Sequence, residues 1–228
     1  MSSDGLILLR CANCGRGLSG LPDDVLYLCP RCSTVWQLGS EGLRPVALET
    51  ASAPPRAGTV HLPFWLVDAE VEILRCIYRS PESSTHLQGP REFDPLLPGL
   101  REGEPSRSRH SLLIPAFGVD RALSLARRVT GLSVAFSWTQ DCPAVLEGGC
   151  IDLEDALRVA PGVVLASQVD GPGNLAFASI SVSPLYSRVA AIPFIASEAG
   201  FSVAGTSLVL PYTEMADARA IADRAGRN

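Results

Sequence analysis

Four cysteines constrain this chain more than any other feature. Cys11 and Cys14 form one pair, Cys29 and Cys32 a second, in the pattern C-x2-C-x14-C-x2-C. Two residues between cysteines let one tight turn aim both thiolates at a single ion. Two such turns complete a tetrahedron, with zinc–sulfur distances of about 2.3 Å. The same pairs also fit a redox dithiol. Compartment bears on the choice. The segment Met1-Ser2-Ser3-Asp4-Gly5-Leu6 has no basic residues ahead of its short apolar stretch, so it does not read as a secretory signal. No apolar run approaches the roughly 18 residues of a transmembrane helix. The expectation is a soluble, cytoplasmic protein without a membrane span. In that reducing setting disulfides are not expected for the seven cysteines, and closely paired cysteines point to metal binding.

The flanking residues suit short strands. Leu6–Arg10 leads into the first turn, and Gly15 follows it, where a positive φ is useful. Val25–Leu28 leads into the second turn. Val35–Leu38, Gly39–Gly42 and Leu43–Val46 read as a hairpin. Residues 1–48 thus resemble the zinc-ribbon family, in which two cysteine knuckles cap short antiparallel strands. They are similar in outline to rubredoxin, which holds iron, but the pairs are closer together here and the aromatic cluster is thinner. The resemblance implies that Cys11, Cys14, Cys29 and Cys32 ligate one Zn2+, with iron as the second candidate. Four thiolates leave the ion no open position, so its implied role is structural. A module this small buries too little apolar surface to fold alone, and metal binding would supply much of its folding energy.

Charge narrows the partners. The net charge is −5, which leaves no broad footprint for nucleic acid or anionic membrane. Between Met1 and Glu49 the basic residues Arg10, Arg16, Arg31 and Arg44 are outnumbered by Asp4, Asp23, Asp24, Glu41 and Glu49, so there is no basic excess. Arg16 and Arg31 read as solvated surface residues. Every basic residue besides histidine is Arg. A Schiff-base lysine and a P-loop lysine are therefore excluded.

A small-residue, proline-containing linker is expected over 49–58, followed by an α+β domain over 59–228. Hydrophobic residues make up 46% of the chain, enough for a real core. Val67, Ala69, Val71 and Ile73 alternate with Asp68, Glu70 and Glu72, the period of a strand with one wet face. The acidic stripe reads as solvated rather than metal-binding. A long surface loop is expected at about 80–110, with its Arg101, Arg107, Arg109 and His110 as a diluted cationic patch. Strands are expected at 112–114, 133–138, 175–183, 185–195 and 208–210. Three helices are expected: 119–130 ended by Gly131, one capped by Asp152 with Asp155 three residues on, and 214–224. The sheet would be mixed or antiparallel. Similar strand ends (Leu112–Pro115, Leu208–Pro211), similar helices and a repeated apolar–Pro–aromatic element (Leu62–Phe64, Ile192–Phe194) suggest a strand–helix duplication.

No catalytic constellation emerges. His61, His86 and His110 have no triad or zincin neighbours, and Gly171-Pro172-Gly173-Asn174 reads as a turn. Cys76 reads as a core thiol, whereas Cys142 and Cys150 are weak candidates for a second metal site or a reactive thiol. The expectation that assumes least is a zinc-binding, non-catalytic adaptor or assembly protein whose partner is another protein. An aromatic Pro63-Phe64-Trp65 segment is one candidate anchor, though a core role for it is favoured. The alternatives are an enzyme of unrecognised type, with a site in the α+β domain, and a nucleic-acid-binding ribbon protein.

Overall fold

The computed structural model describes residues 9–52, 56, 58–79, 100–143, 145–147, 149–169, 174–203, 206–215 and 218–225. The expected strand at 6–10 lies mostly outside these residues, as do His86 and the loop residues 80–99. Within the ribbon, β1 (Leu26–Leu28), β2 (Val35–Gly39) and β3 (Gly42–Val46) form an antiparallel sheet in sequence order. Gly42 closes the hairpin at φ +107°, a conformation that favours glycine.

The larger sheet begins sooner than the expected linker. Leu48–Ala51 is β4, and it pairs in parallel with residues 189–191. The remaining strands are β5 (Thr59–Arg79), β6 (Leu100–Gly103), β7 (Ser106–Pro115), β8 (Trp138–Thr139), β9 (Asn174–Ser197), β10 (Gly200–Val203) and β11 (Val209–Leu210). Helices are α1 (Ala122–Leu132), α2 (Leu153–Val169) and α3 (Ala218–Ala225). The fold is α+β, as the sequence pattern indicates, and the sheet is mixed. Among the described residues, no helix is long and apolar enough to cross a membrane.

The antiparallel pair β5/β9 is the spine of this sheet. β7 and β6 line the outer edge of β5; β4 and β10 line that of β9. Where the spine is covered on both sides, the sequence is a continuous apolar run, Leu62-Pro63-Phe64-Trp65-Leu66-Val67. Leu62, Phe64 and Leu66 join Ile192 and Phe194 in one layer, under α3 and part of α1. Trp65, Val67, Ala69 and Val71 join Val189 in the other, under α2. Beyond Val67 only the second side stays covered, and the sequence changes to alternation. Val67, Ala69 and Val71 are buried, while Asp68, Glu70 and Glu72 face outward. Phe64 and Trp65 are fully buried, with Trp65 Nε1 donating to the Ile151 carbonyl at 2.9 Å. They are core residues and not exposed anchors; truncating either to Ala would cost about 3–5 kcal/mol.

Several expected elements differ. Residues 175–183 and 185–195 form one strand rather than two. Leu185 is an extra residue opposite Asp68 and Ala69, a bulge that interrupts the periodicity without breaking the ladder. α1 passes through Gly131 to Leu132, because Gly131 does not take the left-handed conformation of a helix stop. Residues 133–135 form a 3-10 turn, and only Trp138–Thr139 of the expected 133–138 strand pairs with β4. Residues 100–103 and 106–110, expected as loop, are strands. Asp152 does cap α2, its Oδ1 accepting the Asp155 backbone N–H at 2.8 Å.

The internal similarity has a geometric counterpart. Leu62 lies directly opposite Ile192, so the two apolar–Pro–aromatic elements run antiparallel through one point of the spine. Val119 and Met215, which lead into the similar helices α1 and α3, form an antiparallel bridge. The halves are not equivalent, however. β7 pairs with β5 directly, whereas β11 is separated from β9 by β10.

The ribbon is seated on the larger sheet. Backbone N–H groups of Val25 and Leu26 both donate to the Gly149 carbonyl, at 2.6 and 2.9 Å. Leu26 and Val35 enter the same apolar layer as Trp65 and α2. A Cβ on Gly149 would lie 2.5 Å from that of Leu26. Gly149→Ala should therefore destabilise the protein by about 2–4 kcal/mol, measured by urea unfolding.

Candidate metal centre

Two short turns bring the cysteines together, and they are built alike. In the first, the Gly15 N–H donates to the Cys11 carbonyl at 2.8 Å and the Cys11 N–H to the Arg16 carbonyl at 2.9 Å. In the second, the Ser33 N–H donates to the Cys29 carbonyl and the Cys29 N–H to the Thr34 carbonyl, both at 2.9 Å. Each turn needs a left-handed residue directly after its second cysteine. Gly15 supplies it at φ +71° and Ser33 at φ +62°.

The ligand atoms of Cys11, Cys14, Cys29 and Cys32 all lie within 4.8 Å of one another. Cys11 Sγ is 3.4 Å from Cys32 Sγ, and Cys14 Sγ is 3.5 Å from Cys29 Sγ. The set pairs one buried and one half-buried sulfur from each turn. Hydrogen bonding by the Thr34 hydroxyl, then by its backbone, brings the Cys32 thiol down to about 6. At Cys14 the strongest influence, a hydrogen bond with the Arg16 backbone, favours the thiolate. Burial and the three neighbouring sulfurs together outweigh it and push Cys14 up to about 11. Four thiolates this close repel one another, and a divalent cation among them removes the conflict. The donor set therefore fits a tetrahedral ion that accepts sulfur.

Cys11 and Cys29 are also core residues, packed with Leu18, Tyr27 and Trp36. Arg16 and Arg31 are exposed, as expected. Cys76 is buried in β5. Cys142 approaches the second turn, its Sγ 3.9 Å from the Ser33 carbonyl. Burial pushes the half-buried Cys150 thiol up. Among the described residues, only the four ribbon cysteines form a metal-sized cluster. His61 of β5 lies opposite Pro193 of β9, whereas His110 of β7 lies opposite Ala69, farther along β5, so the two do not converge; burial lowers the His61 pKa.

One polar cluster escapes sequence reasoning. Arg188 of β9 is within 2.6 Å of Asp68 on β5 and 2.9 Å of Glu49 on β4, with its guanidinium carbon 5.3 Å from the centre of the Tyr186 ring. Ser111 of β7 donates to Asp68 as well. Farther along, Glu70 pairs with Arg107. The acidic stripe is thus partly neutralised by arginines rather than arranged around a cation. These partners are remote in sequence, so no local signal reveals them. Burial opposes ionisation of Asp68, but the Ser111 hydroxyl and Arg188 hold its carboxyl below the ordinary range.

No known family model matches the chain, and neither the curated proteins nor the solved structures contain a match.

Two stability predictions follow from this geometry. Ser33→Gly relieves a left-handed non-glycine and should stabilise the metal-loaded protein by about 0.5–1 kcal/mol, while Gly15→Ala should cost about 1 kcal/mol. Thermal unfolding of both variants would check the opposite signs. Arg188→Met leaves Asp68 and Glu49 without their shared cation and should cost on the order of 2 kcal/mol at pH 7. The Asp68 contribution is fully present above its unfolded pKa of about 3.9 and is lost as pH falls through the lower folded value. The deficit of the variant should therefore shrink below about pH 4 in urea unfolding.

Proposed function

We propose that this protein is a zinc-binding, non-catalytic adaptor or assembly protein whose ribbon, residues 1–48, holds one structural Zn2+ through Cys11, Cys14, Cys29 and Cys32. The observation carrying the reading is the convergence of four sulfurs from two matched turns. A complete thiolate set gives the ion no position for water or substrate, which favours a structural over a catalytic role. The α+β domain, whose sheet already includes β4 from Leu48 onward, is the larger of the two parts. The seat of Leu26 on Gly149 supports a presentation role: the ribbon is held against that domain instead of swinging on a tether. A fixed ribbon offers a partner protein a preorganised surface, and preorganisation lowers the entropic cost of docking.

Purified wild type should carry one zinc per chain by elemental analysis. Cys29→Ser should lose most of it and lose protection from hydrogen exchange across residues 9–46, while β5 and β9 stay protected. A partner retained by the wild type under mild conditions should be released by the same change. A protein that stays metal-free when refolded with zinc, or that turns over a substrate with the ribbon cysteines replaced, contradicts the reading.

A further inference from the structure

The larger sheet has two edges that are open over part of their length. Among the described residues, β7 pairs with β5 alone, which leaves its outer edge uncovered. On the other flank, β4 pairs with β9 at 189–191 and β10 pairs with it at 194–197. Among the described residues, no strand pairs with the outer edge of β9 from Asn174 to Ser187. An open edge presents a row of backbone N–H and C=O groups, a template for another strand.

The two edges differ in how they are guarded. β7 carries Arg107, Arg109 and His110 along its exposed stretch, 106–111, and charge of that kind discourages strand pairing. β9 has no charged residue from Asn174 to Ser187. Its guards are Pro184 and the bulge at Leu185, both at one end of that stretch. The residues before them, Ser179-Ile180-Ser181-Val182-Ser183, read nearly the same in both directions. Laid antiparallel on a second copy about Ser181, they set Ser181 against Ser181, Ser179 against Ser183 and Ile180 against Val182. Beyond Ala178 and Pro184, Phe177 then meets Leu185, and these two are 39% and 54% exposed. Small polar, β-branched and large apolar residues each meet their own kind, which is the matching that stabilises cross-strand pairs.

We propose that two copies of this chain pair antiparallel through the β9 edge, with the twofold axis at Ser181. The occupant is a second copy because the edge is complementary to itself. Ile180 and Val182 pack against the apolar layer beneath α2, so pairing sets the layers of the two copies side by side. The contact is isologous and closes at two, and the charged edge of β7 offers no continuation into a fibre. A ladder this short makes a small interface, of the weak and reversible kind. The cysteine cluster takes no part in it, so the dimer would carry two ribbons.

Sedimentation equilibrium of the full, zinc-loaded chain tests the pairing. Wild type should shift from 24.2 kDa toward twice that mass as its concentration rises from about 1 to about 200 μM. Ser181→Glu and Ser181→Arg each set like charges face to face on the axis, and each should weaken the dimer at least about tenfold. Mixed in equal amounts, the two variants set opposite charges together and should restore it. Within its own copy Ser181 lies opposite Glu72. Ser181→Arg therefore gains a local partner and should keep the melting temperature of the dilute wild type while losing the dimer. A wild type that stays monomeric throughout, as it would if this edge takes a strand of another protein, overturns the proposal. So does a dimer that both variants leave intact, or a mixture no more dimeric than its folded components.

Discussion

The cluster of Cys11, Cys14, Cys29 and Cys32 is the constraint on which the N-terminal ribbon depends. Two of its sulfurs are themselves core, buried with Leu18, Tyr27 and Trp36. That core is too small to balance the conformational entropy of the loops around it. The two turns bring all four sulfurs together, so the energy of holding an ion there would become energy of folding. The consequence reaches beyond the ribbon. β1 and β2 place Leu26 and Val35 in the layer that also contains Trp65, Val67 and α2. Loss of the cluster would therefore uncover part of that layer, while the β5/β9 ladder keeps its own hydrogen bonds.

The larger domain rests on a different device. β5 and β9 pair along nearly their whole lengths, and their register shifts absorb extra residues without ending the ladder. One such residue, Leu185, is left exposed, as is Leu74, the extra residue opposite Ile180 and Ser179. Arg188 ties the spine to β4, and β4 follows the ribbon after a single residue. The same strand pair thus organises the core, carries the acidic stripe with its arginines and fixes where the ribbon attaches.

What the sequence discloses follows from how local each determinant is. The cysteine spacing, the Gly15 turn and the Asp152 cap are decided within a few residues, and each is legible. The alternation after Val67 is legible for the same reason. The single strand 174–197 reads as two because Pro184 and the bulge at Leu185 break the period of two, while the partner strand that preserves the ladder is distant. The strand character of 106–110 is hidden because Arg107, Arg109 and His110 belong to an exposed edge, where polarity imitates a loop. Glu49 reads as linker because its partner Arg188 is far along the chain.

X-ray absorption at the zinc edge of the purified native protein tests the central claim most directly. Four sulfurs at about 2.3 Å, with no nitrogen or oxygen scatterer, are expected around the zinc. A shell containing a light atom, or a protein whose bound metal is iron, would contradict it.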